Sequence, residues 1–224
     1  MNKRIKIVSL ALLLGVSSYT TAQSLNTLEI PTDPRATAMG GSAVALSANA
    51  FSIYQNSASI AFSEQRLAVG YSFTDWYGKN RMHTASGFYN FQNNHSLALG
   101  VRYFDGDKIS NSHDGINSYQ VNPYDFILDL GYAYKVGDFW SISANVRYLH
   151  SKINSAPGIK RGNAFGLDFA LNYRDDHFSA AAAVQGLGSR VDYGFKKNEM
   201  PAKALLGFAY TIDLAEDHVL TPTL

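Results

Sequence analysis

The chain has no cysteine, only 17% charged residues, and no apolar run of membrane-helix length. Without cysteine a disulfide framework is excluded, as is a lipid anchor attached through an N-terminal thiol. A formal net charge of +1 with no basic block implies neither nucleic acid nor anionic headgroups as partners. A spanning helix needs roughly 18 apolar residues or more, so crossing a membrane by helices is excluded too. What the chain has instead is 14 Tyr, 13 Phe and 18 Gly in 224 residues. That composition suits a membrane β-barrel and a soluble β-sandwich equally, so the residue pattern has to decide.

The N-terminus sets the compartment. Lys3, Arg4 and Lys6 precede an apolar stretch from Ile7 to Val16, and Thr20 and Ala22 supply small residues before Gln23. This is the layout of a cleavable secretory signal over residues 1–22, which directs the chain out of the cytoplasm.

From residue 66 onward a period of two dominates. Leu97, Leu99, Val101 and Tyr103 alternate with Ser96, Ala98, Gly100 and Arg102. Phe126, Leu128, Leu130 and Tyr132 alternate with Asp125, Asp129, Gly131 and Ala133, and Ile142, Val146 and Tyr148 with Ser143, Asn145 and Arg147. The same holds for Phe165 to Tyr173, Phe178 to Val184, Ala204 to Ile212, and the earlier Leu67 to Phe73, with a weaker strand over residues 81–92. A helix of 3.6 residues per turn could not keep these faces separate. The reading is eight strands of roughly 9–13 residues, the length a tilted membrane strand requires.

Connections alternate as well. Asn93-Asn94, Gly137-Asp138, Asp175-Asp176 and Ala215 to Asp217 are short, whereas residues 106–123, 152–163 and 188–202 form long polar stretches. Short turns on one rim and long loops on the other are the arrangement of outer-membrane barrels. On the apolar face, Tyr134, Trp140, Tyr173, Phe178 and Tyr210 fall beside the short turns. Tyr71, Phe73, Tyr103, Tyr124, Tyr148 and Phe165 fall at the opposite ends. Two aromatic belts match two membrane interfaces.

The fold class is therefore all-β, an antiparallel transmembrane β-barrel over residues 66–224 in contact with outer-membrane lipid. The second face is small or charged, which in a packed eight-strand barrel would be filled by larger side chains. A wider lumen or an inserted segment is expected. Residues 23–65 supply the candidate: partly helical around Gly40-Gly41, they read as a plug folded into the periplasmic end. His218-Val219-Leu220 reads as the start of a ninth strand. The eight complete strands are expected to be part of a larger barrel, with a closed barrel of eight as the alternative.

Residues 33–76 resemble the PorV/PorQ family of outer-membrane proteins, relatives of FadL-type transporters. The resemblance is carried by Asp33-Pro34-Arg35-Ala36, Met39-Gly40-Gly41, Ala43-Val44-Ala45, Tyr54, Asn56, Ala58 and Trp76. Ser57 stands where the family pattern has a proline, which puts the tight turn there in question. The resemblance implies a barrel of about fourteen strands with an N-terminal plug. It further implies a role in secretion or surface attachment of exported proteins by a type IX system, with cargo or a secretion pore as partners. The FadL relatives imply the alternative, passive transport of hydrophobic small molecules.

No catalytic pattern is evident. Arg102, Asp125, Asp129, Arg147, Asp168 and Arg174 share the inner face, where charges usually form a lumen network. Asp105-Gly106-Asp107 opens like a calcium loop, but Ile116 stands where a bidentate Glu is required. The six histidines have no metal-ligand spacing, with His95 and His150 near strand ends. No serine lies in a nucleophile elbow, and no phosphate-binding glycine loop is present. No enzyme activity, metal or cofactor is expected, and Tyr119, Tyr193 and Phe195 in the long loops are candidates for recognition.

Overall fold

The computed structural model describes residues 26–91, 94–112, 118–153, 160–194, 197–215 and 218–224. The expected signal segment and Phe195 lie outside them. In chain order the strands are β1 (Leu67–Asp75), β2 (Arg81–Asn90), β3 (His95–Asp105), β4 (Ile109–Ser112), β5 (Ser118–Val121), β6 (Tyr124–Val136) and β7 (Trp140–Lys152). They continue with β8 (Gly162–Arg174), β9 (Phe178–Gly188), β10 (Val191–Asp192), β11 (Lys197–Asn198), β12 (Lys203–Tyr210), β13 (Ile212–Ala215) and β14 (His218–Leu220). Eight of them form one antiparallel sheet in the order β1-β2-β3-β6-β7-β8-β9-β12. The pairs β4–β5 and β10–β11 are separate hairpins within two of the long loops.

The expected strands are all present, and the predicted side-chain parity holds on seven of the eight. The large apolar side chains stand exposed on one face, from Val69 at 76% to Leu206 at 73%. A water-soluble sheet would cover such a face; a bilayer solvates it. Aromatic pairs sit at both ends of this face, Trp140 with Tyr173 (4.9 Å between ring centroids) and Tyr148 with Phe165 (5.2 Å). The exception is β2, whose Met82 and Phe88 turn inward and are buried.

The eight strands form an open sheet, compatible with a barrel wall, in which β1 and β12 do not pair with each other. Closure into eight strands alone is therefore not observed. Beyond β14 the chain runs beside β12: Phe208 and Leu224 exchange two backbone hydrogen bonds (3.0 and 2.9 Å), and the Tyr210 N–H donates to the Pro222 carbonyl (3.1 Å). The start of a ninth strand is thus in place.

At the β8–β9 turn the Asp175 carboxylate accepts backbone hydrogen bonds from Phe178 (2.7 Å) and His177 (3.0 Å). These bonds hold its pKa below the ordinary carboxylate value. Its contribution to stability is therefore present above the unfolded value of about 4 and lost as pH falls through the folded one. Asp175→Ala is expected to lower the unfolding midpoint at neutral pH and to converge on the wild type in acid, so its acid limb is flatter.

Candidate functional site

The segment before β1 lies across the sheet's inner face, and its local structure follows from its sequence. Asp33 caps the short helix Pro34–Ala38, its carboxylate accepting from the Arg35 N–H (2.9 Å) and from the Asn49 amide (2.8 Å). Proline in the first turn costs no hydrogen bond, since that donor has no helical partner. At the other end Gly40 and Gly41 take φ of +66° and +90°. The Gly41 N–H donates to Ala36 O (2.8 Å) and the Gly40 N–H to Thr37 O (3.1 Å), a Schellman termination that favours residues without a Cβ. Met39 then packs against the buried cluster of Val44, Ala45, Leu46, Ala181 and Ala209, fastening this turn to β9 and β12.

Asn56 is the hinge of the arrangement. Its Oδ1 accepts from the Ala58 N–H (3.0 Å), capping the 3-10 helix Ser57–Phe62. Its amide donates to the Val44 carbonyl (2.8 Å) and to Asn172 Oδ1 on β8 (3.0 Å), all of it buried. Ser57, in the place of the family's proline, still opens the helix. Its hydroxyl donates to Asn145 Oδ1 (2.7 Å) and pairs with the Ser143 hydroxyl (2.8 Å), contacts that proline could not make. The inner face then satisfies the segment's backbone: Ser141 donates to Ala58 O (2.7 Å), Asn145 to Ile53 O (3.2 Å), and Gln185 to the carbonyls of Tyr54 and Gln55 (3.1 and 2.9 Å). Buried carbonyls left without such donors would cost roughly 1–3 kcal/mol each.

Tyr54 reaches deeper, its hydroxyl donating to the carbonyl of Ala85 (3.3 Å). Burial pushes its pKa up, so it remains a donor. The ring lies directly over Gly100, where a Cβ would come 2.5 Å from the phenol oxygen. Gly100→Val is expected to displace Tyr54 and to destabilise the protein by about 1–3 kcal/mol. Unfolding in urea would measure the loss, and Tyr54→Phe in the Gly100→Val background should recover part of it.

Behind Tyr54 the inner-face charges form a chain. Arg102, whose guanidinium lies 4.7 Å from the Tyr54 ring centroid, pairs with Asp129 (3.0 Å). Asp129 also receives Arg147 (2.6 Å), and Arg147 reaches on to Asp168 (2.7 Å). Asp168 additionally accepts the Gly186 N–H (2.7 Å), where the β8–β9 register shifts. Two arginines and two aspartates thus neutralise one another, each group nearly inaccessible to water. This supports a structural role for the expected lumen charges, with two corrections. Asp125 stands apart, accepting a hydrogen bond from Thr27 (2.6 Å), and Arg174 sits at the other rim beside the Phe62 ring (5.9 Å). Sequence parity put all six on one face but could not tell their heights along it.

Those two contacts also show that the segment is not confined to the short-turn end. It runs from Thr27 and Leu28 near the long-loop end to Phe62 at the short-turn rim. Leu28 packs there with Ile127, Leu149, Val191, Tyr193 and Met200. Tyr193, expected to be an exposed recognition residue, is buried, and its hydroxyl donates to Ser151 (2.8 Å). Tyr119 lies on β5. Of the motif residues, Arg35 is exposed and bonds the Ser47 carbonyl (3.1 Å). Ala58 is fully buried, and Trp76 stands half-exposed in the β1–β2 turn, away from the others.

A cavity of about 380 Å³ remains between the segment and β12. Arg102 and Lys203 border it opposite Glu29 and Asp33, so it favours neither sign of charge. Among the described residues no group of three or more His, Cys, Asp or Glu could hold a metal. Sequence reading had missed Ser141, Asn172 and Gln185 as partners of the segment; their signal was polar character at inward positions. The family model for the type IX secretion system protein PorV matches residues 17–224. No curated protein matches the chain.

Proposed function

Since this chain belongs to the PorV family of type IX secretion system proteins, we propose that it is an accessory of that system, binding exported proteins or the secretion pore through its outer loops. Association with type IX secretion at the outer membrane follows from the family. In this reading residues 1–22 direct export, residues 23–65 plug the lumen and residues 66–224 supply barrel wall. The role assigned is binding, not catalysis.

The observation that carries the proposal is how the segment and the loop containing β10 and β11 close on each other. Val191, Tyr193 and Met200 root that loop on Leu28 and on the wall. Its outer side carries the exposed ion pairs Arg190–Glu199 and Lys197–Asp192. A loop rooted in this way presents polar groups in a fixed arrangement, which lowers the ordering cost of binding a partner. Transport of a hydrophobic molecule draws no support from the inner face, where polar side chains bond the segment's backbone and the buried charges pair with one another.

The test is deletion of the gene followed by a census of proteins at the cell surface. Loss of exported proteins from the surface, restored by the wild-type gene, is the expected result. Copurification of tagged protein with cargo or a secretion pore should weaken when Arg190, Asp192, Lys197 and Glu199 are replaced together by serine. An unchanged surface proteome would reject the proposal.

A further inference from the structure

The membrane-facing side of the sheet is not uniformly filled. β2 presents the small residues Ala85 and Gly87 outward between His83 and Tyr89, where neighbouring β1 and β3 present large side chains. Leu67 and Val69 on β1 form one wall beside them, and Leu97, Leu99 and Val101 on β3 form the other. The result is an open apolar groove of about 500 Å³ along β2. Gly87 cannot be filled by a larger residue without moving backbone, because a Cβ there would lie 2.5 Å from the Ala68 carbonyl oxygen.

The two ends of the groove differ. Towards the long-loop rim it is closed by the Tyr71 hydroxyl paired with His83 Nδ1 (2.8 Å) and by Phe73, whose ring centroid is 5.1 Å from that of His83. Towards the short-turn rim it opens at Tyr89, and there Arg66 Nε donates to the Tyr89 hydroxyl (2.8 Å) with its guanidinium over the ring (5.3 Å). Among the described residues Arg66 forms no ion pair. Tyr89 lies four residue steps along β2 from Ala85, about 13 Å of strand. The groove is therefore a greasy channel inside the hydrocarbon band, with a cation and a tyrosine at its interfacial mouth. Those two side chains are the ones membrane interfaces favour, and the cation has phosphate charge to meet.

We propose that this groove binds one phospholipid of the periplasmic leaflet, an acyl chain lying over Ala85 and Gly87 and the phosphate held by Arg66. The proposal rests on the exposed face being the membrane face. Charge complementarity at the mouth selects a lipid over a protein segment as the occupant. Net charge carries no hint of it, because a single well-placed arginine suffices.

The test uses full-length protein extracted from outer membranes in mild detergent and weighed intact by native mass spectrometry. The wild type should retain a single phospholipid. Ala85→Leu, which fills the groove from an exposed position, should lower that occupancy about tenfold. Arg66→Gln should lower it too, and re-addition of phosphatidylethanolamine should restore the wild type but not Ala85→Leu. Heat-modifiable migration on gels checks that both variants fold. Equal occupancy in folded Ala85→Leu, or retention of lipopolysaccharide or a protein in place of phospholipid, would overturn the assignment. A protein absent from the outer-membrane fraction would instead overturn the membrane reading beneath it.

Discussion

Asp129→Ala is expected to destabilise the folded protein by about 3–5 kcal/mol. Asp129 is the middle of the buried chain, taking Arg102 at 3.0 Å and Arg147 at 2.6 Å with no exposure to water. Arg147 would keep Asp168, but Arg102 would be left without a carboxylate among the described residues. A guanidinium buried without its counter-charge costs far more than a surface ion pair gains. Asp129→Asn preserves volume and part of the hydrogen bonding, so it should fall between Asp129→Ala and the wild type. Exposed Asp192, paired with Lys197 at 3.7 Å, is the control, and Asp192→Ala should cost less than about 1 kcal/mol. Urea unfolding in detergent micelles measures all three, and an Asp129→Ala midpoint close to that of Asp192→Ala would refute the argument.

The second large effect belongs to Asn56. Asn56→Ala removes a cap and two buried hydrogen bonds at once, stranding the Ala58 N–H, the Val44 carbonyl and Asn172 Oδ1. At roughly 1–3 kcal/mol for each stranded group, with incomplete additivity, a loss of about 3 kcal/mol is expected. Asn56→Asp separates the two functions. It keeps the acceptor for Ala58 but sets a carboxylate against two acceptors, so it should be at least as harmful as Asn56→Ala. The loss should be local: hydrogen exchange over residues 53–62 should accelerate well before the β6–β7–β8 core. Uniform acceleration across the sheet would mean that the segment is no separable unit.

These two residues show where legibility in the sequence ends. Asn56 was visible as a residue of the family motif, and its capping of the Ala58 N–H acts over two positions in the chain. Its bond to Asn172 spans 116 residues and has no local signature. The four network charges were recognisable as inward-facing by parity, yet Asp125 and Arg174 have the same parity and lie at opposite rims. Parity reports the side of a strand and not the height along it, which depends on how neighbouring strands are staggered. Tyr193 failed differently: an aromatic in a polar loop reads as exposed until the loop folds back onto Leu28. On β2 the rule that apolar residues face lipid broke down, because Phe88 is claimed by Ile53, Tyr54 and Ile60 of the segment.

By itself the sequence determined the class of fold, the eight strands, the lipid-facing side of seven of them, and the beginning of the ninth. Each rests on interactions within a few residues, so each leaves a period or a turn signature in the chain. Tertiary structure alone decided the path of residues 26–65 across the inner face, the pairing within the charge chain and the groove over Ala85. Those depend on which distant side chains share a space, and contact energies between residues a hundred positions apart impose no period on the chain.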